Sequence, residues 1–381
     1  MAVTYSSSQK DQKVSLMRVV IKALCLFFIF NFLFLFFDPL PLLGQVSIYN
    51  HLVPGRERLP YGEQPEKSFN LNLYQLDAMF NSHKIAGKEK PENEFRIILI
   101  GDSSTWGFLL SPQETLASVL SAKNLSTLDG KQIVVYNLGY PVMSLTKDLL
   151  ILDRSMQYHP DMIIWLITLE SFPYDKQLFP PLLQNNREEV QHLLQKNQLK
   201  VISQIKELKS PSLWDRTFIG QRRNIADIIR LQLYGIMWAA TGIDQDIPNQ
   251  FDRPMEDLPA DQSFHDLMPS HLAAEDLALE ILQAGYTTAG NIPLIIVNEP
   301  MYISRGENSD IRYNYYYPRW AYDDYRQLLS KQCTANHWTC IDLWNSIEPG
   351  NFSNTAVHLT PKGIIQLADL LLNQISFGGS D

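Results

Sequence analysis

The chain has 381 residues, of which 45% are hydrophobic and 19% charged, so it can bury a sizeable core and is not a disordered protein. Its net charge of -9 at pH 7 argues against the clustered basic surface that binds a phosphate backbone, and we expect no nucleic acid partner.

An apolar run begins close to the N-terminus. It extends from Val19 to Phe37, close to the roughly 20 residues that cross a hydrocarbon core, and Lys22 is its only charge. Basic residues precede the run and an acidic residue follows it: Lys10, Lys13, Arg18 and Asp38. By the positive-inside rule, this pattern predicts a cytoplasmic segment over residues 1–18, a transmembrane signal anchor over 19–37 and an extracytoplasmic remainder.

A cleaved signal peptide is the alternative interpretation of the same run, because the purely apolar stretch 23–37 is short enough for its hydrophobic region. No small-x-small cleavage site follows the stretch, which favours the uncleaved anchor. Under either interpretation the rest of the chain is exported.

The composition of residues 38–90 predicts a stalk, followed by a helix that packs on the core. Proline, glycine and charged residues dominate the first part of this segment, as is typical of a connecting loop. Apolar residues then recur at near-helical spacing: Leu71, Leu73, Leu76 and Met79. The main domain is expected over residues 91–381.

Five apolar runs in this domain have the length and composition of buried strands. They are Arg96–Ile100, Gln132–Asn137, Met162–Ile167, Pro293–Asn298 and Thr339–Leu343. Helical patterns separate them, over about 111–122, where Ser111 to Glu114 form a capping box, and over 145–158, 273–284, 319–332 and 361–375. Alternating strands and helices imply right-handed crossovers, so we predict a three-layer α/β/α sandwich with a mostly parallel sheet.

A long interval, about 174–267, interrupts this alternation. Helical stretches over 187–208 and 222–240 precede a polar segment over 244–262, so we expect a helical insertion rather than one long loop. Two roles remain open for it: a lid over the functional site, or a helical layer that packs on the core or on a membrane surface.

The cysteines leave two alternatives open. Cys333 and Cys340 could form a disulfide in an oxidising compartment, or could be two unpaired buried thiols. No Cys/His pattern at finger-like spacing indicates a metal, and we expect no cofactor.

Chemically distinctive residues follow the first strand and precede the last helix. Gly101-Asp102-Ser103-Ser104 comes directly after the run that ends at Ile100, and His358-Leu359-Thr360-Pro361-Lys362-Gly363 lies near the C-terminus. A parallel strand that empties into a tight turn presents a serine at the sheet edge where open α/β folds place their ligands. Serine becomes a useful nucleophile when a nearby base takes its proton, and His358 is the natural base.

These segments resemble the blocks of the SGNH/GDSL hydrolases, a superfamily of flavodoxin-like esterases, lipases and carbohydrate O-acyl hydrolases or transferases. The resemblance covers about residues 96–373 in order. It implies Ser103 as nucleophile, His358 as base and Gly139, in Asn137-Leu138-Gly139, as an oxyanion donor beside the Ser103 amide.

The sequence departs from the family pattern in its third block. The usual asparagine of the oxyanion hole is absent from Ile167-Thr168-Leu169-Glu170, where Thr168 could donate a hydroxyl hydrogen bond instead.

A second departure concerns the acid of the triad. The aspartate usually found three residues before the histidine is replaced by Thr355. Three residues are candidates to supply the acid or to orient His358: Glu170, which we favour, Asn354 and Glu299.

Three functions follow from this pattern. The first is an exported, membrane-anchored serine esterase, and the second is an O-acyltransferase or deacylase of cell-envelope polysaccharide; both imply an ester or acylated carbohydrate as substrate. The third is a binding protein on a degenerate hydrolase fold. An aromatic cluster could line a carbohydrate site by stacking or could pack locally: Tyr313, Tyr315, Tyr316, Tyr317 and Trp320.

Overall fold

A computed structural model gives the fold and describes residues 15–37, 39–40, 43, 46, 48–52, 63–64, 76–207, 212–242 and 250–375. Most of the expected stalk, including Asp38, Leu71 and Leu73, lies outside the described residues, as do Lys10 and Lys13.

Five strands form one sheet. They are β1 (Glu94–Ile100), β2 (Gln132–Asn137), β3 (Met162–Ile167), β4 (Leu294–Asn298) and β5 (Thr339–Asp342). Their order in the sheet is β2-β1-β3-β4-β5, and every neighbouring pair is parallel. This is the flavodoxin-like order, in which the chain reverses direction across the sheet at β1 and β3. The prediction of a parallel α/β fold is confirmed.

Both faces of the sheet are apolar because alternate residues of each strand point to opposite sides. In β3, Ile163 and Trp165 belong to one buried cluster, whereas Ile164 and Leu166 belong to the other. Each cluster needs a helical layer to exclude water, and this requirement produces the three layers.

The helices divide between these layers. One face of the sheet is covered by α3 (Leu76–Asn81), α6 (Leu145–Ser155), α10 (Glu280–Ala289) and α11 (Arg319–Asn336). The other face is covered by α5 (Leu116–Ala122) and α12 (Pro361–Leu372). The remaining described helices are α1 (Leu16–Phe36), α2 (Ile48–Leu52), α4 (Ser103–Trp106), α7 (Pro181–Asn185), α8 (Arg187–Lys196) and α9 (Arg222–Thr241).

Predicted and observed helix boundaries differ where a cap interrupts the pattern. The capping box at Ser111 closes only a turn of 3-10 helix over Pro112–Glu114, and α5 starts anew with Thr115 as its cap. The helix expected from residue 273 begins at Glu280, because Ala274–Asp276 forms a separate 3-10 turn. The Cys333 and Cys340 thiols, left open above, form a disulfide between α11 and β5.

The insertion is divided between two parts of the molecule. Residues 181–201 pack on the sheet domain, where Leu183, Val190 and Leu194 are fully buried in the larger cluster. Residues 212–242, which include α9, instead lie against α1 and α2.

Helix α1 is long and apolar enough to cross a membrane, and its side chains are almost all exposed. Length and composition of this kind fit both a membrane anchor and a signal sequence.

Packing of α10 on the sheet depends on Gly285. A Cβ atom at this position would lie 2.5 Å from Cζ3 of Trp165, whose side chain is fully buried. We expect Gly285→Ala to lower the free energy of unfolding by about 1–3 kcal/mol, because overpacking outweighs the better helix propensity of alanine. Urea denaturation measures the change. Gln283→Ala, on the exposed face of the same helix, should stay within about 0.5 kcal/mol of the wild type; an equal effect of both substitutions would contradict the close packing.

Candidate active site

Ser103 lies at the carboxyl end of β1, where it is the first residue of the short helix α4. The preceding Asp102 caps this helix, and its carboxylate accepts a hydrogen bond of 2.7 Å from the Ser104 N–H. Gly101 allows the tight turn, since a Cβ atom there would lie 2.2 Å from Oγ1 of Thr105. The turn therefore holds the Ser103 hydroxyl, half-buried, at the edge of the sheet.

His358 reaches the same edge from the connection between β5 and α12. Its carbonyl accepts a hydrogen bond of 2.8 Å from the Ser353 N–H, which fixes the backbone of this connection. The His358 Nε2 atom lies 2.8 Å from Ser103 Oγ, although the two residues are 255 positions apart in the chain. The ring of Phe108 covers the imidazole, with the ring centroids 4.9 Å apart.

Asn354 is the residue that contacts the far side of the imidazole. Its Oδ1 atom lies 3.1 Å from His358 Nδ1. An amide oxygen can only accept, so Nδ1 carries the proton and the lone pair of Nε2 faces Ser103. Thr355, which stands where the family has its aspartate, accepts from the His358 backbone N–H at 3.2 Å. Within the described ranges, no carboxylate hydrogen-bonds to this imidazole.

The environment of His358 keeps the imidazole neutral. Burial lowers the pKa of His358 below its ordinary value, and the negative charge of Asp102 offsets part of this shift. A neutral imidazole that points Nε2 at a serine hydroxyl is able to accept that hydroxyl's proton.

Two of the expected oxyanion donors make other hydrogen bonds. The Gly139 N–H donates to the side-chain oxygen of Asn137 at 3.0 Å, and the Thr168 hydroxyl is 2.8 Å from the hydroxyl of Tyr317, with both residues fully buried. The Ser103 N–H belongs to the first turn of α4, where backbone donors have no partner within the helix. It is therefore the one expected donor for which the described residues show no competing hydrogen bond.

Gly139 nevertheless has a clear steric role. A Cβ atom there would lie 2.4 Å from the backbone nitrogen of Trp106, so only glycine lets the loop after β2 approach α4 this closely. Asn137 holds the same contact, because its Nδ2 donates to the Trp106 carbonyl at 3.1 Å.

Glu170 lies at the end of β3, as expected, but the structure does not bring it to His358. Its carboxylate instead contacts His265 Nε2 at 3.2 Å and Lys176 Nζ at 3.0 Å. Burial alone would raise the pKa of Glu170, but these two partners outweigh it and the pKa is lowered. His265 comes from the insertion, and its Nδ1 also contacts Asp175 at 3.0 Å.

Glu299 lies behind Ser103 rather than beside His358. Its Oε2 atom hydrogen-bonds to the Ser104 hydroxyl, and Oε1 has no hydrogen-bond partner among the residues that the structure describes. Burial, followed by the nearby charge of Asp102, raises the pKa of Glu299 well above its ordinary value. Burial and the charge of Asp102 thus both favour the neutral carboxylic acid form of Glu299, beneath the turn that carries Ser103.

Lys147 joins the two loops that form the site, and the sequence pattern did not single it out. The ammonium group is fully buried and donates to the carbonyls of Gly101 and Tyr140, at 2.9 Å and 2.6 Å. Asp148 balances its charge at 2.8 Å. A Lys-Asp pair on the buried face of an otherwise apolar helix is the sequence signal that could have drawn attention to it.

A cavity of about 190 Å³ opens next to Asn354. Its wall includes Tyr315 and Tyr316 from one side and Pro254 and Met255 from the insertion on the other. The aromatic cluster is thus divided, since Tyr313 and Tyr317 are buried in the core whereas Tyr315 is 57% exposed.

Comparisons with known proteins give distant structural similarity alone. No family model and no curated protein matches the chain. A member of the lipolytic protein G-D-S-L family from Veillonella parvula is 10% identical, with a TM-score of 0.35 over 73% of this chain and 96% of that one. A carbohydrate acetylesterase from Sinorhizobium meliloti is 11% identical (TM-score 0.31; 74% of this chain, 99% of that one), and an aryl esterase from M. smegmatis is 12% identical (0.32; 74% and 99%).

Similarity at this level carries no argument about the chemistry of the site, which depends on the side chains of this chain.

The buried acid predicts an unusual pH dependence of stability. Because folding raises the pKa of Glu299, its contribution is fully present below the unfolded value of about 4.3–4.5 and is lost as pH rises toward the folded pKa. We expect the free energy of unfolding of the wild type to fall relative to Glu299→Gln as pH rises above that value. Urea titrations between acidic and mildly alkaline pH measure it.

A control is the exposed Gln283→Ala, which removes no titratable group and whose profile should run parallel to that of the wild type. Parallel profiles for Glu299→Gln as well would show that Glu299 is ionised in the folded state.

Proposed function

We propose that this protein is a serine hydrolase of ester bonds, held at the outer face of a membrane by α1. The proposal rests on one contact above all, the 2.8 Å approach of His358 Nε2 to Ser103 Oγ. Asn354 supports it by fixing the proton on Nδ1. In this site a neutral amide takes the place of the usual aspartate, as in the cysteine-histidine-asparagine sites of papain-like proteases.

The reaction begins with transfer of the Ser103 hydroxyl proton to His358 Nε2 as Oγ attacks the ester carbonyl carbon. The carbonyl oxygen becomes an anion, which the Ser103 N–H is placed to stabilise at the start of α4. The protonated His358 then gives its proton to the departing alcohol, and an acyl group remains on Ser103. A water molecule, deprotonated by His358 in turn, releases the acid and restores the serine.

A second oxyanion donor requires a small rearrangement. The Gly139 N–H would have to leave Asn137, or the Thr168 hydroxyl would have to leave Tyr317, as substrate binds. One missing donor typically costs about 100- to 1,000-fold in rate, so we propose that these exchanges accompany binding of the correct ester.

An acylated carbohydrate is the substrate class that the neighbouring cavity fits best. Tyr315 presents an exposed ring, Tyr316 lies beside it, and Met255 adds a flexible apolar contact next to Asn354. Aromatic faces stack on the apolar faces of sugar rings, and the cavity is large enough for about one sugar unit. A sugar hydroxyl in place of water would make the same site an O-acyltransferase.

Contacts around α1 favour a retained anchor over a cleaved signal. Phe218 packs between Phe30 and Phe34, with ring centroids 4.9 Å and 5.3 Å apart, and the side chain of Asn31 accepts from the Ile219 N–H. The Cys333–Cys340 disulfide is in keeping with an oxidising, extracytoplasmic compartment.

The nucleophile is tested by covalent labelling. We expect a fluorophosphonate probe to label the full-length protein in detergent and mass spectrometry to place the adduct on Ser103. Ser103→Ala should abolish labelling, and Ser330→Ala, at an exposed serine of α11, should leave it unchanged. A folded wild type that is not labelled would instead favour a binding protein on a hydrolase fold.

The role of Asn354 is tested by the pH dependence of kcat/KM on an acetylated sugar or an aryl ester. The active form needs a neutral His358, and burial lowers its pKa, so wild-type activity should fall only below about pH 6.5. In Asn354→Asp, a carboxylate beside Nδ1 should raise that pKa and move the acid limb to higher pH. Asn354→Ala should lower kcat by about 100-fold or more. An unmoved acid limb in Asn354→Asp would rule out this orienting contact.

A further inference from the structure

Helix α9, in the insertion, carries an apolar stripe that the rest of the described chain does not cover. Ile229, Leu233 and Met237 follow one another at intervals of four residues and are 58%, 58% and 60% exposed. The adjoining face of the helix is buried, with Ile228 and Gln232 less than a tenth exposed. An aligned stripe of large apolar side chains marks a surface with a partner.

The same helix is tied to the segment that follows the proposed anchor. The Gln232 side chain donates to the Val46 carbonyl at 2.8 Å and accepts from the Ile48 N–H at 2.7 Å. Just before α9, Phe218 and Ile219 contact α1 itself. The helix that carries the exposed stripe is therefore held beside the helix proposed to span the membrane.

The position of Asn31 along α1 gives the depth at which the segment before α9 contacts the proposed spanning helix. Ile219 meets Asn31, which is five residues before the end of α1 at Phe36. At 1.5 Å per residue, the contact lies about 7–8 Å inside the outer end of the helix. Interfacial helices bury their apolar face about 5–10 Å into the boundary between head groups and acyl chains.

The composition of the element fits that boundary. Arg222, Arg223 and Arg230 give α9 three positive charges against the single acidic Asp227, in a chain whose net charge is -9. Trp214, at 60% exposure, lies just before α9, and tryptophan is enriched at the level of the head groups. Basic residues beside an apolar stripe add attraction to anionic lipids.

We propose that residues 212–242 lie in the membrane interface beside α1, with Ile229, Leu233 and Met237 immersed among the lipids. The partner is the bilayer itself. Two attachments, the spanning helix and this in-plane helix, would hold the hydrolase domain in one orientation over the membrane. The inference rests on the proposed anchor and is independent of the catalytic residues.

Spin labels on the full chain test it. In a Cys25→Ser background, Leu233→Cys is labelled in the protein reconstituted into vesicles of phosphatidylcholine and phosphatidylglycerol, and collisions with oxygen and with nickel-EDDA are measured. Phe28→Cys on α1 is the lipid reference. Leu128→Cys, 86% exposed in the turn before β2, is the water reference. We expect the oxygen-to-nickel ratio at position 233 to exceed that at position 128 several-fold, with Met237→Cys behaving alike.

Different results would contradict the interfacial position of α9 and the spanning position of α1. A ratio at position 233 equal to that at position 128 would place the stripe in water. Protection from both reagents at position 233 would mean that a second copy of the chain covers it; either result overturns the proposal. A water-like ratio at position 28 would overturn the anchor itself, whereas none of these results bears on labelling of Ser103.

Discussion

The hydrogen bond between Ser103 and His358 depends on the geometry of a parallel sheet. Strands that all run in one direction end at one edge, so the turn after β1 and the connection after β5 meet there although the chain between them is long. The two buried clusters on either side of the sheet fix the strand positions. A shift of β1 or β5 in the sheet would separate Ser103 from His358.

Buried polar groups hold the turn itself. Lys147 donates hydrogen bonds to the carbonyls of Gly101 and Tyr140, and Glu299 accepts one from the hydroxyl of Ser104, the residue after Ser103. Such groups are costly to bury unless their hydrogen bonds and charges are balanced, and Asp148 supplies the balance for Lys147. Lys147 from α6 and Glu299 from the end of β4 therefore both help to position the turn that carries Ser103.

The sequence predicted those parts of the fold and site that depend on local patterns. Apolar runs located all five strands within two residues, and the Gly-Asp-Ser turn and His-Leu-Thr-Pro segment pointed to the two side chains now found in contact. Asn354 was one of three residues that the sequence offered to supply the acid or to orient His358. It lies four residues before the histidine, in the same connection, so the contact is local and a sequence can carry it.

Local sequence patterns do not predict which side chains from distant segments come into contact. Glu170 was the favoured candidate from its place after β3, but its partner His265 comes from the insertion, whose path no periodicity reveals. Gly139 is different: Asn137 accepts from the N–H two residues on, a common turn pattern that the sequence could have disclosed. The late start of α10 reflects a 3-10 turn that the apolar spacing does not distinguish from a helix.

Nitrogen-15 NMR of histidine-labelled protein at neutral pH, with His358→Gln to assign the signal, tests the central contact most directly. We expect a neutral imidazole protonated at Nδ1, with an Nε2 resonance that shifts when Ser103 is replaced by alanine. An imidazole protonated at Nε2, or one whose resonances are unaffected by Ser103→Ala, would contradict it.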